Sequence, residues 1–340
     1  MEIGVLMVPL RTAQMARMIE DMGLDRVMLP DSQNLAPEVW GQLMLAASAT
    51  KRIRLGPGVT NSVTRDPAVT ASAAVALQVE SQGRAILGIG RGDSSVQRIG
   101  KHEDRVADFE RYLATVQAYL RGETVDRDGF ASRLEWLDHL GNVPKVPLEV
   151  AATGRKVIEV AARQADAICF AVGADPVYLA EVLAHAKEAA RAAGRDPGSL
   201  RYGAFVNCVV HDDVRAARDA VRGSIATFAR FSSFKGSRIE SLPPPLRSAA
   251  GFLREHYDMR VHTRTGVEHT KGISDEFVDW FGIAGPVETA VNRLRQLGAL
   301  GLDFCTIIPG SAGMPRDIAA ASLTSLATTV APAVRAGSNS

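Results

Sequence analysis

Ile3-Gly4-Val5-Leu6-Met7-Val8-Pro9-Leu10-Arg11 is a short apolar run that empties into a turn without glycine. A doubly wound dinucleotide-binding sheet would carry a G-x-G-x-x-G fingerprint in this first strand-to-helix turn, and Val8-Pro9-Leu10-Arg11 has none. The rest of the chain repeats the opening unit. Strand-like runs fall at 3–8, 26–29, 53–59, 85–89, 148–151, 167–170, 202–210 and 303–308. Ala-rich stretches of helical period separate them, at 12–22, 38–50, 70–82, 102–121, 155–165, 176–193, 212–228, 286–300 and 315–330. The strand-like runs are mostly continuous in their hydrophobicity, as expected when both faces of a parallel strand are covered. Eight strand–helix units predict an α/β chain closed into a (β/α)8 TIM barrel, with its site at the C-terminal ends of the strands.

Composition narrows the function classes. The chain has 340 residues, 46% hydrophobic and 23% charged, which excludes a disordered or collagen-like protein. A net charge of +1 without basic runs argues against a nucleic-acid or membrane-surface partner. Cys169, Cys208 and Cys305 stand singly in apolar runs, as reduced core thiols of a cytoplasmic protein would. No basic leader precedes residue 3 and no apolar run reaches membrane-span length, so a soluble protein is expected. The rhythm breaks once, over about 232–282, in a Ser/Pro/Arg/His-rich insertion. The expectation is one domain over 1–335 with that insertion after the helix of the seventh strand, then a flexible tail at 336–340.

The residues that follow the strands carry the chemistry. They include Asp31-Ser32-Gln33, Gly58-Val59-Thr60-Asn61, Gly90-Arg91-Gly92-Asp93-Ser94, Thr153-Gly154-Arg155-Lys156 and Asn207. Thr153-Gly154-Arg155-Lys156 opens a helix, so free amides and two cations make an anion site suited to phosphate. Asp31 and Asp93 are acids at a barrel mouth, able to bind a ring or move a proton, or else to cap the following loop or helix. In the insertion, His256, His262 and His269 are spaced by six and seven, which matches no ligand pattern, so no metal is expected. His256 or Tyr257 is instead expected to face substrate from a lid, with nearby cations steering an acidic ligand.

Arg54-Leu55-Gly56-Pro57-Gly58-Val59-Thr60-Asn61, Thr64-Arg65-Asp66-Pro67, Ile86-Leu87-Gly88-Ile89-Gly90-Arg91-Gly92-Asp93-Ser94-Ser95 and Ala152-Thr153-Gly154 resemble the bacterial luciferase-like superfamily. Within it, they are most similar to the coenzyme F-420-dependent branch around the methylenetetrahydromethanopterin reductases. The resemblance runs from Ile3 to about Leu326. It implies a barrel holding a flavin or deazaflavin at its mouth, and hydride chemistry on a small molecule. It places a non-prolyl cis peptide at Gly58–Val59 behind the ring, and Gly90, Arg91, Gly92, Asp93 and Ser94 beside it. It makes Thr153, Gly154, Arg155 and Lys156 the phosphate cradle, with Arg155 where a proline is usual, and Asp31 an acid near the ring.

Two departures stand out. Ser32 replaces a histidine that many members carry after the acidic position, and Leu6 replaces an acidic residue of the methanopterin reductases. The expectation is therefore an F-420-dependent oxidoreductase acting on a C=C, C=N or C=O acceptor other than methanopterin. An FMN-dependent monooxygenase is the alternative, and a non-catalytic flavin-binding barrel the lesser one. A homodimer is expected from the family's habit of pairing through barrel helices.

Overall fold

The computed structural model describes residues 1–232 and 243–337. Residues 233–242 of the insertion and 338–340 of the tail lie outside the described residues. The barrel strands are β1 (Glu2–Leu6), β2 (Arg26–Leu29), β3 (Arg54–Pro57), β4 (Thr60–Asn61) and β5 (Leu87–Gly90). A small antiparallel ribbon, β6 (Val125–Arg127) and β7 (Phe130–Ser132), precedes β8 (Leu148–Ala152), β9 (Ala167–Phe170) and β10 (Arg201–Val210). The last two strands are β11 (Ile283–Gly285) and β12 (Phe304–Ile308).

All barrel neighbours are parallel, in the order β3-β2-β1-β12-β10-β9-β8-β5-β4. β3 and β4 are two parts of one strand, interrupted at Gly58–Val59, whose peptide bond is cis as expected. The bridge between Leu55 and Ala85 brings β3 to the segment before β5, so the ring nearly closes. Counting β3 and β4 together, this is the expected eightfold α/β barrel.

Helices α1 (Thr12–Asp21), α2 (Val39–Ala49), α3 (Pro67–Glu80), α4 (Ser94–Gln97) and α5 (Val106–Leu120) follow the first strands. Then come α6 (Arg155–Gln164), α7 (Pro176–Ala192), α8 (Val214–Ser232), α9 (Pro244–His256) and α10 (Asp275–Phe281). The chain closes with α11 (Val287–Ala299), α12 (Arg316–Ser325), a π-turn at Leu326–Val330 and α13 (Ala331–Ala336). Asp66 and Asp175 cap α3 and α7, each followed by a proline in the first turn, where its missing N–H costs nothing.

Strand alternation divides the core. Leu148, Val150 and Ala152 pack outward against helices, whereas Ala151 joins Leu6, Val59, Ala167, Cys169, Ala171, Phe205, Phe304 and Ile308 inside the barrel. The barrel floor holds a buried Arg26–Glu149 pair at 2.5 Å, with the guanidinium 3.9 Å from the Phe304 ring centroid. Gly4 and Gly203 leave the room this cluster needs, since a Cβ at either would collide with Arg26 or Phe304. The three cysteines are free and buried, and burial pushes their thiols up.

The insertion has its own packing. Val221 and Ile225 of α8, Leu246 and Leu253 of α9, and Phe277 and Phe281 of α10 form a second cluster beside the end of β10. One expectation needs correcting. Arg316–Ala336 is helical, with mean hydropathy 1.2, long and apolar enough to cross a membrane by length and composition. Leu326, Ala327, Val330, Ala331 and Val334 of this stretch are buried in the main core.

Candidate active site

Four adjacent strand ends, those of β2, β3–β4, β5 and β8, bring most of the expected residues to one side of the barrel mouth. Hydrogen bonds stitch the first three together. Thr60 Oγ1 donates to Asp31 Oδ2 at 2.7 Å, and Arg65 Nη1 pairs with the same oxygen. Arg65 Nη2 also reaches Glu38 at 2.9 Å, and the Tyr112 hydroxyl donates to the Arg65 carbonyl at 3.0 Å. Burial pushes the Tyr112 phenol up to about 12, so it stays a donor. Asp31, 6% exposed, is thus a fixed acceptor on the mouth wall rather than a loop or helix cap.

Ser32 and Ser94 share a hydrogen bond of 2.9 Å between hydroxyls. Asn61 Nδ2 donates to Ser95 Oγ at 3.2 Å, while its Oδ1 accepts from the amides of Val63 and Thr64. Asn61 therefore shapes the loop after β4. Gly58 has no alternative residue, because a Cβ there would lie 2.7 Å from Met28 Cβ and 2.8 Å from Leu6 Cδ1. Gly90 backs onto Val59, and Gly92 adopts φ +98°, a value that favours glycine. Arg91 is held by its Nε bond to the Asp104 carbonyl at 2.8 Å.

Asp93 precedes α4 but gives it no side-chain cap. Its carboxylate receives Arg230 Nη1 at 2.8 and 3.0 Å, and Gln97 bonds both partners. Burial raises the Asp93 pKa above the ordinary carboxylate range, and Arg230 opposes that shift. Arg230 also lies 4.8 Å from the Tyr257 ring centroid. The Tyr257 hydroxyl meets Thr227 Oγ1 at 2.9 Å and His262 Nδ1 at 2.6 Å, while its ring stacks on His269 at 4.4 Å. This chain of contacts joins the β5 loop to the insertion.

His256 is placed differently. It ends α9 exposed, stacked on Phe252 at 4.1 Å, with Nδ1 at 3.0 Å from the Phe252 carbonyl. Of the expected pair, Tyr257 is the one tied to the site. Arg230 and Arg65 were not singled out as site residues, since each meets its acid only through the fold. The one sequence signal for Arg230 is a cation among buried alanines on α8, beside Ala226 and Ala229.

Thr153 and Gly154 lead into α6, and no side chain caps that helix. The first-turn amides at Gly154, Arg155 and Lys156 are therefore open to an anion. A Cβ on Gly154 would meet nothing within 4 Å, so there is space in front of the helix. Arg155 and Lys156 are exposed there, Arg155 Nη2 lying 3.2 Å from His185 Nδ1. An open helix N-terminus, a flat glycine-lined wall and a fixed carboxylate fit a phosphate-bearing ring cofactor.

Known proteins share this architecture. Residues 6–303 match the luciferase-like monooxygenase family. A 5,10-methylenetetrahydromethanopterin reductase of Methanolobus tindarius is 27% identical over 317 residues, 92% of this chain and 94% of that protein. A phthiodiolone/phenolphthiodiolone dimycocerosates ketoreductase of Mycobacterium kansasii is 30% identical over 320 residues, 89% and 86% of the two chains. Among solved structures, an F420-dependent secondary alcohol dehydrogenase in complex with an F420–acetone adduct superposes with a TM-score of 0.74. It is 18% identical, and the match covers 98% of this chain and 99% of that one. From its barrel, its interrupted third strand and this match over most of its length, the chain belongs to the luciferase-like monooxygenase family.

Proposed function

We propose that this protein is an F-420-dependent oxidoreductase acting on a small organic carbonyl, imine or alkene. The observation that carries the reading is the mouth itself: a glycine-lined wall at Gly58–Val59 and Gly90–Gly92, continuous with the open amides of Gly154, Arg155 and Lys156. The reductase and ketoreductase relatives support a two-electron reaction. When bound, reduced F-420 supplies a hydride equivalent. The chain's own groups do the rest. The α6 amides and Lys156 hold phosphate, the Val59 side hosts the ring, and Asp31 orients through its Arg65 and Thr60 contacts. Asp93, raised by burial, is the carboxyl best suited to hold a proton at the mouth.

The alternative is an FMN monooxygenase on the same scaffold, and the Ser32–Ser94 pair in the histidine position weighs against it. The reading extends to a cytoplasmic homodimer. Three free cysteines suit a reducing compartment, and exposed Leu45 and Val69 on α2 and α3 suit a helix-to-helix contact. The test is to mix the protein with reduced F-420 under argon and panels of ketones, imines and enones. Reoxidation of the deazaflavin with at least one class is expected. No reoxidation with any class, together with oxygen uptake supported by reduced FMN, would replace the reading.

A further inference from the structure

Met7-Val8-Pro9-Leu10 after β1 and Ser32-Gln33-Asn34-Leu35-Ala36-Pro37 after β2 hold no charged residue, in a chain that is 23% charged. Large apolar side chains stand out from these loops and from the end of α4. Val8 is 57% exposed, Leu10 62%, Leu35 43% and Ile99 43%. One exposed leucine means little, but a group of them edged by polar residues, here Arg11 and Glu38, marks a ligand or partner surface. Hydrogen bonds tie the group to the site. The Leu35 amide donates to the Ser32 carbonyl at 2.7 Å, Ser32 meets Ser94 between hydroxyls, and Gln33 Nε2 donates to the Ser95 carbonyl at 2.6 Å. Ile99 follows at the end of the same short helix, its amide bonded to the Val96 carbonyl at 3.2 Å. On the other side, β1 runs beside the cis-peptide wall, since a Cβ on Gly58 would lie 2.8 Å from Leu6 Cδ1. Val8 and Leu10 come next as the chain leaves β1, folded into a tight turn by the Leu10 amide on the Val8 carbonyl at 2.8 Å. The loops after β1, β2 and β5 thus form an apolar lip continuous with the ring-binding wall.

Strand order decides what the lip receives. Along β1-β2-β3/β4-β5-β8, the anion cradle of Gly154, Arg155 and Lys156 lies at the β8 end, and Val8 and Leu10 lie at the β1 end. A cofactor with its phosphate at β8 leaves the β1–β2 flank to the acceptor. An uncharged apolar lip offers an ionic head group no partner, whereas alkyl groups that cover it are stabilised by leaving water. We propose that the acceptor is amphipathic, with a neutral C=C, C=N or C=O head at the ring and an aliphatic chain lying over Val8, Leu10, Leu35 and Ile99. This rests on the F-420 reading and adds a substrate class to it.

The test compares pent-3-en-2-one with undec-3-en-2-one, which both carry a C=C and a C=O, by consumption of reduced F-420. Native protein should favour the longer enone at least about tenfold in kcat/KM, since each methylene covered contributes up to about fourfold. In the Leu10→Gln/Leu35→Gln double variant that preference should fall to about twofold or less. The variant should melt within about 1 °C of native, because both side chains are exposed. Equal kcat/KM for the two enones in native protein, or a preference that survives the double substitution, overturns the proposal. A change in the variant's mass by light scattering would make the lip a subunit contact and overturn it too. If F-420 does not bind or neither enone is reduced, the cofactor reading fails instead, and the neutral dye N-phenyl-1-naphthylamine still judges the lip. Native protein should bind the dye and release it to undec-3-en-2-one but not to pent-3-en-2-one, and the double variant should bind it several times more weakly. No dye binding by native protein, or equal binding by the variant, overturns the proposal.

Discussion

Gly154 and Asp93 are the residues whose environments decide most about the site. Gly154 sits before α6 at φ −109° and ψ 152°, a conformation open to any residue, with free space where a side chain would project. Gly154→Val should therefore fold normally and lower F-420 affinity about tenfold by filling the space before the helix amides. Unchanged affinity in a titration would put the phosphate elsewhere. Asp93 is raised by burial, so its charged form is the disfavoured one. That penalty is absent below the unfolded-state pKa and complete above the folded one, and Arg230 offsets it. Arg230→Met should cost about 3 kcal/mol near pH 8, as breaking a largely buried pair does, and clearly less in acid, where the raised Asp93 carboxyl is neutralised. Denaturant melts at the two pH values check this. Equal losses would show that the pair does not carry the effect, and Asp93→Asn in the same background should restore stability.

At the scale of elements, the insertion is the part most dependent on protonation. His262 is pushed down to about 3, first by burial and then by Arg230 and Arg98, while it bonds the Tyr257 hydroxyl. A lowered histidine favours the neutral fold, so this stability is present above about pH 6.5 and is lost as pH falls toward 3. Each pH unit in that window costs up to about 1.4 kcal/mol. Between pH 6.5 and 4.5 the native protein should lose about 2 kcal/mol more than His262→Gln, measured by urea unfolding, and parallel losses would contradict the assignment. The same segment shows where sequence reading stops. β2 and β9 were legible to the residue because Val27–Leu29, opened by Arg26, and Ala167–Phe170 are apolar runs bounded by turns. The break between β3 and β4 came through the family resemblance, and α3 begins three residues early because Pro67 starts it. β11 and the β6–β7 ribbon were missed because three residues are too few to show a period. The Asp93–Arg230 pair spans 137 residues, and only the closed barrel brings its members together.

The whole molecule is a parallel barrel whose mouth is built from four neighbouring strand ends and closed on one side by the insertion's own cluster. The glycine-lined mouth accepts a ring of this shape, the Ser32–Ser94 pair weighs against flavin oxygen chemistry, and charge separates the two cofactors further. Arg155 and Lys156 are exposed beside the cradle, and a long acidic cofactor tail crossing them would be held by solvent-screened pairs. Calorimetric titration of the native protein with F-420 and with FMN, each at low and high salt, tests this most directly. Saturable F-420 binding that weakens severalfold at high salt, with FMN bound more weakly at both, is the result expected. Tight FMN binding with no heat from F-420 at either salt would contradict the central claim.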